Sequence, residues 1–409
     1  MFETLYKRPF TTRLQRAEPF PDSRSAFLEH LAAQGHAPAT IRCHARDILF
    51  VASRIEMTPD GGASRAAIEA AVDQSIPEGS GKSPSVRKRI VNATDCWLRF
   101  SGLFVETQQP RMAADQITQF ARYMSDERGL SPATISSRLK TINSFLLWVK
   151  PLKATLPEVS LADVDRYLTS KGREGWKRVT VATAGQTLRT FFKHAEQQGW
   201  CQPGIAAGIE LPRVYGMEHI PLGPSWEQVR ALVATTDGGS RRDRRDRAAI
   251  LLFAVYGLRC SEVRQLRLDD IDWDREIVTV RRAKCRKTQE FPLTREVGEA
   301  IIQYIREVRP KCEHREIFIT LRAPWRPVSH VGFYDGIRER IDALGIDLVR
   351  RGPHALRHAC ATHLMTQGLS LKEIGDHLGH SSSESTRIYA KVDMASLREV
   401  AELDFGGLR

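Results

Sequence analysis

The sequence predicts a mainly α-helical protein of several domains, with one small antiparallel β-sheet. Its 409 residues, 42% of them hydrophobic, are enough for two or three domains that each bury a core. Through most of the chain the apolar residues recur with the period of a helix. Stretches rich in β-branched residues are confined to EIVTVRR (276–282) and TQEFPL (288–293), which a short basic loop joins into a hairpin.

Composition narrows the class of function. The formal net charge of +12 favours a polyanionic partner, of which nucleic acid is the most common. The 7 cysteines are odd in number and form no CxxC pair, so we expect reduced thiols rather than a disulfide framework. The N-terminus has no apolar signal segment, and the longest apolar run, AAILLFAVYGL (248–258), is too short to span a bilayer. These features predict a soluble, cytoplasmic protein.

A short repeat organises the first half of the chain. Segments 32–52 and 126–146 share the pattern G-x-x-P-A-T-I at the same offset. In each segment a glycine ends one helix and a proline begins the next, which predicts two helix–turn–helix pairs. A chance likeness between common capping residues is the alternative. The first pair lies in residues 1–111, which we interpret as an additional N-terminal helical module that contacts DNA or protein.

The second pair opens a helical domain predicted at 112–213. This domain interleaves cations with aromatic residues, of which Phe191 and Phe192 are expected in its core. Exposed cations suit contacts with DNA phosphates, although a solvated basic face would have the same composition. The predicted DNA-binding residues are Lys171, Arg173, Lys177, Arg178, Arg189 and Lys193.

The segment 214–224 is predicted to be a linker, because proline and glycine interrupt it. After it, Ser225 and Gln228 have the spacing of a capping box, which begins the C-terminal domain at residue 225. Helices are predicted at 225–236, 244–256 and 261–266 before the two strands, and again from residue 294 onwards.

The stretch GPHALRHACATHLMTQG (352–368) places three histidines around Arg357, after a proline that starts a helix. Two kinds of site fit this stretch, one for a metal ion and one for a phosphate. His354, His358 and Cys360 could supply metal ligands, but an arginine among them would repel the cation. His354 and Arg357 lie three residues apart on one face of the helix, where the helix N-terminus favours an anion. The pattern therefore favours a phosphate site, with the remaining histidines as buried helix residues.

Two earlier segments of the C-terminal domain carry residues suited to the same chemistry. In YGLRCSEV (256–263), Arg259 precedes a helix that we expect Ser261 to cap. The hairpin loop holds Lys284, with Lys287 close by. All three cations stand at turns, where a side chain can reach a bound phosphate.

The last motifs lie towards the C-terminus. His380 follows Arg357 by 23 residues, and Tyr389 comes nine residues after His380. Taken in order, GLRCSE, a lysine in a β-hairpin, H-x-x-R-H, L-G-H and I-Y-A resemble the motifs of the tyrosine recombinase (phage integrase) family. The resemblance covers residues 225–392 and extends more loosely over 115–212, which is similar to the helical core-binding domain of that family.

This resemblance implies the multi-domain tyrosine recombinase fold, that of DNA breaking–rejoining enzymes, with a helical, SAM-like core-binding domain. The core-binding and catalytic domains are then expected to close on duplex DNA as a C-shaped clamp. It also implies the catalytic residues, which are Arg259, Lys284, His354, Arg357, His380 and Tyr389, supported by Glu262 and Lys287.

The family chemistry assigns a role to each of these side chains. Tyr389 attacks a phosphodiester and forms a 3′-phosphotyrosyl link, which stores the bond energy, so we expect no metal ion, ATP or other cofactor. Arg259 and Arg357 hold the phosphate, because a planar guanidinium meets two phosphate oxygens at once and stays ionised. His354 serves as an acid, a base or a phosphate donor, and His380 donates to a non-bridging oxygen.

Lys284 is implied as the acid that protonates the leaving 5′ oxygen. The sequence departs here from the G-K-G-x-K loop of the family, since Ala283 and Cys285 replace the glycines. Lys287 therefore stays open as an alternative. Glu262 matches the acidic residue that orients the basic groups, although an ordinary carboxylate in the first turn of a helix is the simpler interpretation.

The resemblance implies a site-specific recombinase of integrase or transposase type that acts on double-stranded DNA through a Holliday junction. The amphipathic tail 393–409 would dock into a neighbouring protomer of a homotetramer or of a mixed assembly with related recombinases, or would pack in cis. Residues 1–111 could then bind separate arm sites. Two other functions fit the same motifs, a non-enzymatic DNA-binding accessory protein and a type IB topoisomerase-like nicking enzyme.

Overall fold

The computed structural model describes residues 1–58, 61–75, 84–105, 112–214, 223–282, 287–380 and 386. The chain divides into two compact units. Residues 106–218 form one unit, and residues 1–105 together with 219–409 form the other. Within the described ranges, no helix combines the length and the apolar character that a membrane crossing requires.

The N-terminal part of the larger unit is a group of helices around its own core. In this core Leu28, Ile48 and Trp97 are fully shielded from solvent. The Trp97 indole nitrogen donates to Ser23 Oγ at 2.9 Å, so the one polar group of this ring is satisfied. The helices are α1 Phe2–Leu5, α2 Pro9–Ala17, α3 Pro21–Ala33, α4 Pro38–Ala52, α5 Arg65–Ser75 and α6 Pro84–Phe100.

The unit 106–218 is helical as well. Its core is rich in aromatic rings, and Phe191 and Phe192 are fully buried there, which confirms their prediction. Phe120 meets the Phe191 ring edge-on, with the ring centroids 5.3 Å apart. The helices are α7 Ala114–Arg122, which continues as a π-helical turn over Tyr123–Glu127, then α8 Pro132–Val149, α9 Leu161–Arg173, α10 Arg178–Gln197 and α11 Ile205–Gly208.

The predicted repeat is present as two turns of the same build. Gly35 and Gly129 follow their helices with φ of 79° and 58°, in the left-handed region that glycine adopts without steric cost. The next helices begin at Pro38 and Pro132, as the sequence predicts. A proline at the start of a helix costs no hydrogen bond, because its missing N–H would have had no partner in the helix.

A third turn has the same backbone geometry but lacks the sequence motif. Gly175 has a φ of 96°, and α10 begins three residues later at Arg178. The residues that cap α8 and α10, Ser131 and Lys177, share a backbone of φ −65° and ψ 148°. Because Arg178 stands where the other two turns have proline, the shared motif does not reveal this copy.

The C-terminal domain surrounds a helix that is buried along its apolar half. Ile250, Leu252 and Phe253 of this helix, α13, are fully buried. The helices of the domain pack around it on several sides. They are α12 Trp226–Ala234, α13 Arg241–Val255, α14 Cys260–Gln265, α15 Arg295–Glu307, α16 His330–Ala343, α17 Pro353–Thr366 and α18 Leu371–Leu378.

A three-stranded antiparallel sheet completes the domain, in the order β1 Ile271–Asp272, β2 Ile277–Arg282, β3 Lys287–Pro292. The two long strands are the predicted hairpin, shifted by one residue at its ends, while the two-residue β1 is not predicted. Val280 pairs with Gln289 and Arg282 with Lys287. Along β2, the buried positions are Val278, Val280 and Arg282. Because successive side chains of a strand point to opposite faces, Arg282 lies on the same buried face as the two valines.

Two helix caps in this domain were predicted, and one of them differs from the prediction. The capping box of α12 is present, since the Gln228 amide donates to Ser225 Oγ at 3.3 Å and the Ser225 amide to Gln228 Oε1 at 2.9 Å. The expected cap at Ser261 is wrong. Helix α14 begins one residue earlier, and Arg259 takes the cap position, where its amide donates to the Glu262 carboxylate at 2.7 Å. The acidic residue three positions on therefore starts this helix, rather than the serine.

Candidate active site of the C-terminal domain

Three arginines converge on the C-terminal end of α18. The helix ends at Leu378, and Gly379 follows with a φ of 64°. Carbonyl groups at a helix C-terminus have no partner within the helix and carry partial negative charge, so they attract cationic donors. The pairs are Arg282 Nη2 to the His377 oxygen at 2.8 Å, Arg357 Nη2 to the Leu378 oxygen at 2.8 Å and Arg259 Nη2 to the Gly379 oxygen at 3.0 Å.

Arg357 is the most buried of the predicted phosphate-binding residues. It is 4% exposed, and its Nη1 donates to the Gly257 carbonyl oxygen at 2.6 Å, in addition to the bond with Leu378. Both of these partners are uncharged. These bonds therefore fix the plane of the guanidinium.

Glu262 lies between two guanidiniums. Its carboxylate is almost completely buried and accepts from Arg259 Nη1 at 2.9 Å on one oxygen. The other oxygen accepts from Arg282 Nη1 at 2.7 Å. The contact with Arg259 agrees with the predicted orienting role of Glu262, while the contact with Arg282 has no counterpart in the sequence-based prediction.

The surroundings of the site lower the pKa of its histidines, which favours their neutral forms. Burial, followed by the charge of Arg357, lowers the pKa of His354 below its ordinary value. Burial lowers the pKa of His358 to about 4, and burial with the neighbouring Arg357 and Arg259 lowers that of His380 to about 4. A neutral imidazole has one donor and one acceptor, so His354 and His380 in this form have an N–H group that suits a phosphate oxygen.

Thr386 is a contact of the site that the sequence gives no signal for. Its Oγ1 lies 2.7 Å from Nδ1 of His380, and the residue is 3% exposed. A side chain at Gly375 of α18 would come within 2.9 Å of the same hydroxyl, so Thr386 packs directly against this helix. The bond with Thr386 occupies one ring nitrogen of His380 and leaves the other for a substrate.

The other histidines and the cysteine of α17 have structural contacts. The His363 ring stacks on Trp226 with the centroids 3.9 Å apart and the planes 1° from parallel. The Cys360 thiol is buried and donates to the Val255 carbonyl oxygen at 3.5 Å. Over the part of the chain that the structure describes, no group of three or more His, Cys, Asp or Glu side chains is placed to hold a metal ion.

Two of the predicted catalytic residues, Lys284 and Tyr389, lie outside the described residues. Lys287 is described and exposed at the start of β3. It pairs with Arg282 across the hairpin, and paired residues of an antiparallel sheet project on the same side. Lys287 therefore projects from the face that Arg282 uses, and the choice between the two lysines stays open.

The predicted DNA-binding cations of residues 106–218 fall into two groups. Arg173, Lys177, Arg178 and Lys193 are exposed. Lys171 is engaged within its own unit, since its ammonium pairs with Glu174 at 2.7 Å and lies 5.9 Å from the Trp176 ring.

Arg189 differs most from its prediction. Its Nη2 donates to the Ile209 carbonyl oxygen, and the side chain is only half exposed. This bond ties α10 to the segment after α11, so the geometry gives Arg189 a structural contact rather than a free position for DNA.

Comparison with protein families agrees with this arrangement. Residues 225–396 match the model of the phage integrase family, and residues 117–199 match that of the phage integrase N-terminal SAM-like domain. A relative from Sinorhizobium fredii, named integrase/recombinase y4rA, is 33% identical over 295 residues, which cover 71% of this chain and 71% of the relative. The chain belongs to the phage integrase family. Tyrosine recombinase XerD of Proteus mirabilis is 29% identical over 286 residues, which cover 69% of this chain and 90% of XerD.

Solved structures of the family show the same fold. The XerH site-specific recombinase in a post-cleavage complex aligns with a TM-score of 0.54 at 18% identity, over 70% of this chain and 84% of that chain. The Tn1549 transposon integrase aligns with a TM-score of 0.54 at 18% identity, over 71% and 99% of the two chains. The predicted fold class, a mainly helical tyrosine recombinase fold with a small antiparallel sheet, is thereby confirmed. The prediction of a site-specific DNA recombinase is confirmed by the family and by the likeness to XerD.

Proposed function

We propose that this recombinase cleaves one strand of duplex DNA with Tyr389, forms a 3′-phosphotyrosyl link and releases a 5′-hydroxyl group. The observation that carries the proposal is the convergence of Arg259 and Arg357 on the end of α18, beside His354 and His380. Charged donors fixed in advance around one point stabilise a pentavalent phosphate more than a ground-state one, because the charge on its oxygens increases.

The two arginines supply the charge. Arg357 has uncharged partners at Gly257 and Leu378, and Arg259 has one oxygen of Glu262 and the Gly379 carbonyl. A positively charged pocket of this kind also lowers the cost of ionising a phenol, whose ordinary pKa of about 10 makes it a weak nucleophile at neutral pH. In this proposal the arginines therefore activate both the phosphate and Tyr389.

The histidines act as neutral groups. His380 uses one ring nitrogen for Thr386 and donates with the other to a non-bridging phosphate oxygen. His354 lies in the first turn of α17, where it can exchange a proton with the attacking or the leaving oxygen. Lys284 protonates the leaving 5′ oxygen, with Lys287 as the alternative.

Duplex DNA is the proposed partner of both units. The relatives with solved structures support this, since XerH is bound to its difH substrate, lambda integrase to a core site and the Tn1549 integrase to circular intermediate DNA. In this chain the exposed cations of residues 106–218 would contact phosphates, and residues 1–111 would bind a separate stretch of DNA or a protein. Cleavage by two protomers at each of two sites would exchange strands through a Holliday junction in a homotetramer or a mixed tetramer, in the cytoplasm.

A strand-exchange assay tests this function against the two alternatives. Purified protein is incubated with two labelled duplexes that carry the DNA ends of its own element, and separately with a supercoiled plasmid that lacks them. We expect recombinant duplexes from the paired ends and no relaxation of the plasmid. Relaxation without specific sites would indicate a topoisomerase-like enzyme, and binding without any strand cleavage would indicate an accessory protein.

A further inference from the structure

We infer that Arg282 is a positioning residue for DNA cleavage, which keeps Arg259 and the segment before His380 in place for the substrate phosphate. The inference rests on the proposed cleavage reaction and adds to it a residue outside the predicted catalytic set. Arg282 is the last residue of β2 and stands two positions before Lys284 in the sequence.

Arg282 is occupied by protein partners on every side of its guanidinium. The residue is 2% exposed. Its Nη1 donates to Glu262, its Nη2 to the His377 carbonyl oxygen and its Nε to Gln289 Oε1 at 3.0 Å. The Phe291 ring lies 5.4 Å from the guanidinium carbon. Because each of the three nitrogens has a protein acceptor, Arg282 is suited to holding other groups rather than to contacting the phosphate itself.

The charges explain how Arg282 acts on Arg259. Two guanidiniums share the single negative charge of Glu262, so the three groups together keep one positive charge beside the substrate. Without Arg282, the buried carboxylate would be neutralised by Arg259 alone. The phosphate would then meet a pair with no net charge, and Arg259 would be drawn towards Glu262 instead of the substrate.

Arg282 also supports the approach to His380. A side chain at Gly379 would lie 2.7 Å from Arg282 Nε, so the guanidinium fills the space where the chain turns from α18 to His380. Its bond to the His377 carbonyl oxygen holds the first of the three carbonyl groups that end this helix. One side chain therefore links β2, Glu262 and the residue just before the predicted phosphate donor.

The test compares Arg282→Gln with Arg281→Gln in the full-length protein. Arg281 is the adjacent residue on the strand, and its side chain is 59% exposed and pairs with Asp270, so it is a matched control of the same charge. Single-turnover cleavage is measured on a nicked duplex with either a normal phosphodiester or an uncharged methylphosphonate at the scissile position, and DNA affinity is measured by competition.

For Arg282→Gln we expect unchanged DNA affinity and a cleavage rate on the phosphodiester lower by on the order of 10²-fold. The defect should shrink on the methylphosphonate, because that substrate has no charge to neutralise. Arg281→Gln should cleave both substrates like the unchanged protein. Wild-type cleavage by Arg282→Gln, or an equal defect on both substrates, would overturn the inference.

A double variant keeps the inference testable if Arg282→Gln does not fold. The double variant Glu262→Gln/Arg282→Gln removes one charge of each sign, and so restores the net charge beside the phosphate. We expect it to melt at a higher temperature and to cleave the phosphodiester faster than Arg282→Gln alone. A double variant no faster than the single one would contradict the role of charge. If the unchanged protein cleaves neither substrate, the proposed function itself is wrong.

Discussion

The guanidinium of Arg357 donates to the carbonyl oxygen of Leu378 at 2.8 Å, and this bond joins the N-terminal part of α17 directly to the end of α18. The same side chain reaches Gly257 in the turn before α14. Three segments that are distant in the sequence are therefore held by one buried cation, at the point where the phosphate is expected to bind. A single side chain thus combines this structural role with the catalytic role proposed for it.

Replacing Arg357 by lysine should abolish most of the activity. An ammonium group is a point charge and cannot meet the Gly257 and Leu378 carbonyl groups and a phosphate in one plane. We expect the single-turnover cleavage rate of Arg357→Lys to fall by on the order of 10²-fold or more. The control is Arg295→Lys, at a side chain that is 91% exposed and pairs with Glu299 on the surface. Equal rates for both variants would show that the bidentate geometry of Arg357 is not needed.

The neutral histidines predict how stability depends on pH. The pKa of His358 is about 4 in the folded protein, below its ordinary 6.5, because the ring is buried. Between pH 6.5 and about 4, His358 therefore binds a proton in the unfolded chain but not in the folded one. Its contribution to the free energy of unfolding is fully present above pH 6.5 and is lost as the pH falls towards 4.

This prediction is measured by urea unfolding at a series of pH values. We expect the free energy of unfolding of His358→Gln to fall less steeply between pH 6.5 and 4 than that of the unchanged protein. His314→Gln is the control, since the His314 side chain is 42% exposed. A slope that His358→Gln leaves unchanged would mean that His358 is not buried in its neutral form.

Gly223 lies against the backbone of α17, the helix that carries His354 and Arg357. A Cβ at this position would lie 2.6 Å from the amide nitrogen of Ala359 and 2.8 Å from the carbonyl oxygen of Ala355, both in the backbone of α17. Gly223→Ala should therefore displace α17, destabilise the domain by about 1–3 kcal/mol and slow cleavage. Gly172→Ala, in a helix where the added methyl group meets nothing within 4 Å, should leave melting temperature and cleavage unchanged. A Gly223→Ala protein that melts and cleaves normally would show that the linker does not pack on α17 in this way.

Two of the predicted DNA-binding cations, Lys177 and Arg189, should differ in their effect on DNA affinity. Lys177 is exposed, whereas Arg189 donates to the Ile209 carbonyl oxygen. Lys177→Ala should weaken DNA binding and reduce the slope of log affinity against log salt by about 1, the value for one lost phosphate contact. Arg189→Ala should lower the melting temperature and leave the salt slope unchanged. The reverse pattern in a salt titration would show that Arg189, and not Lys177, contacts a DNA phosphate.

The sequence predicted Arg259, His354, Arg357 and His380 as site residues, because the motifs that contain them resemble those of the family in order and spacing. It was not sufficient to show that they converge. That convergence depends on the packing of α17 against α18 and on the carbonyl groups at the end of α18 that have no partner within the helix. Every residue has such a backbone group. No local pattern distinguishes the carbonyl group of Leu378 from any other.

Arg282 shows a signal that was present but easily overlooked. It stands in a basic stretch around the hairpin loop, where a cation resembles its neighbours. The alternation of Val278, Val280 and Arg282, however, places it on the buried face of β2, and a buried charge needs a partner of opposite sign. Thr386 carried no such signal, because a threonine in a serine-rich stretch is typical of a surface loop.

The nucleophile is tested most directly by trapping the covalent complex on a nicked duplex from which the cleaved end diffuses away. The unchanged protein should give a DNA–protein species that survives denaturation and carries the label of the strand whose 3′ end lies at the break. Tyr389→Phe should bind the same duplex with similar affinity and give no such species, because its ring has no hydroxyl group to attack the phosphate. Equal trapping by both proteins would show that another residue forms the covalent link.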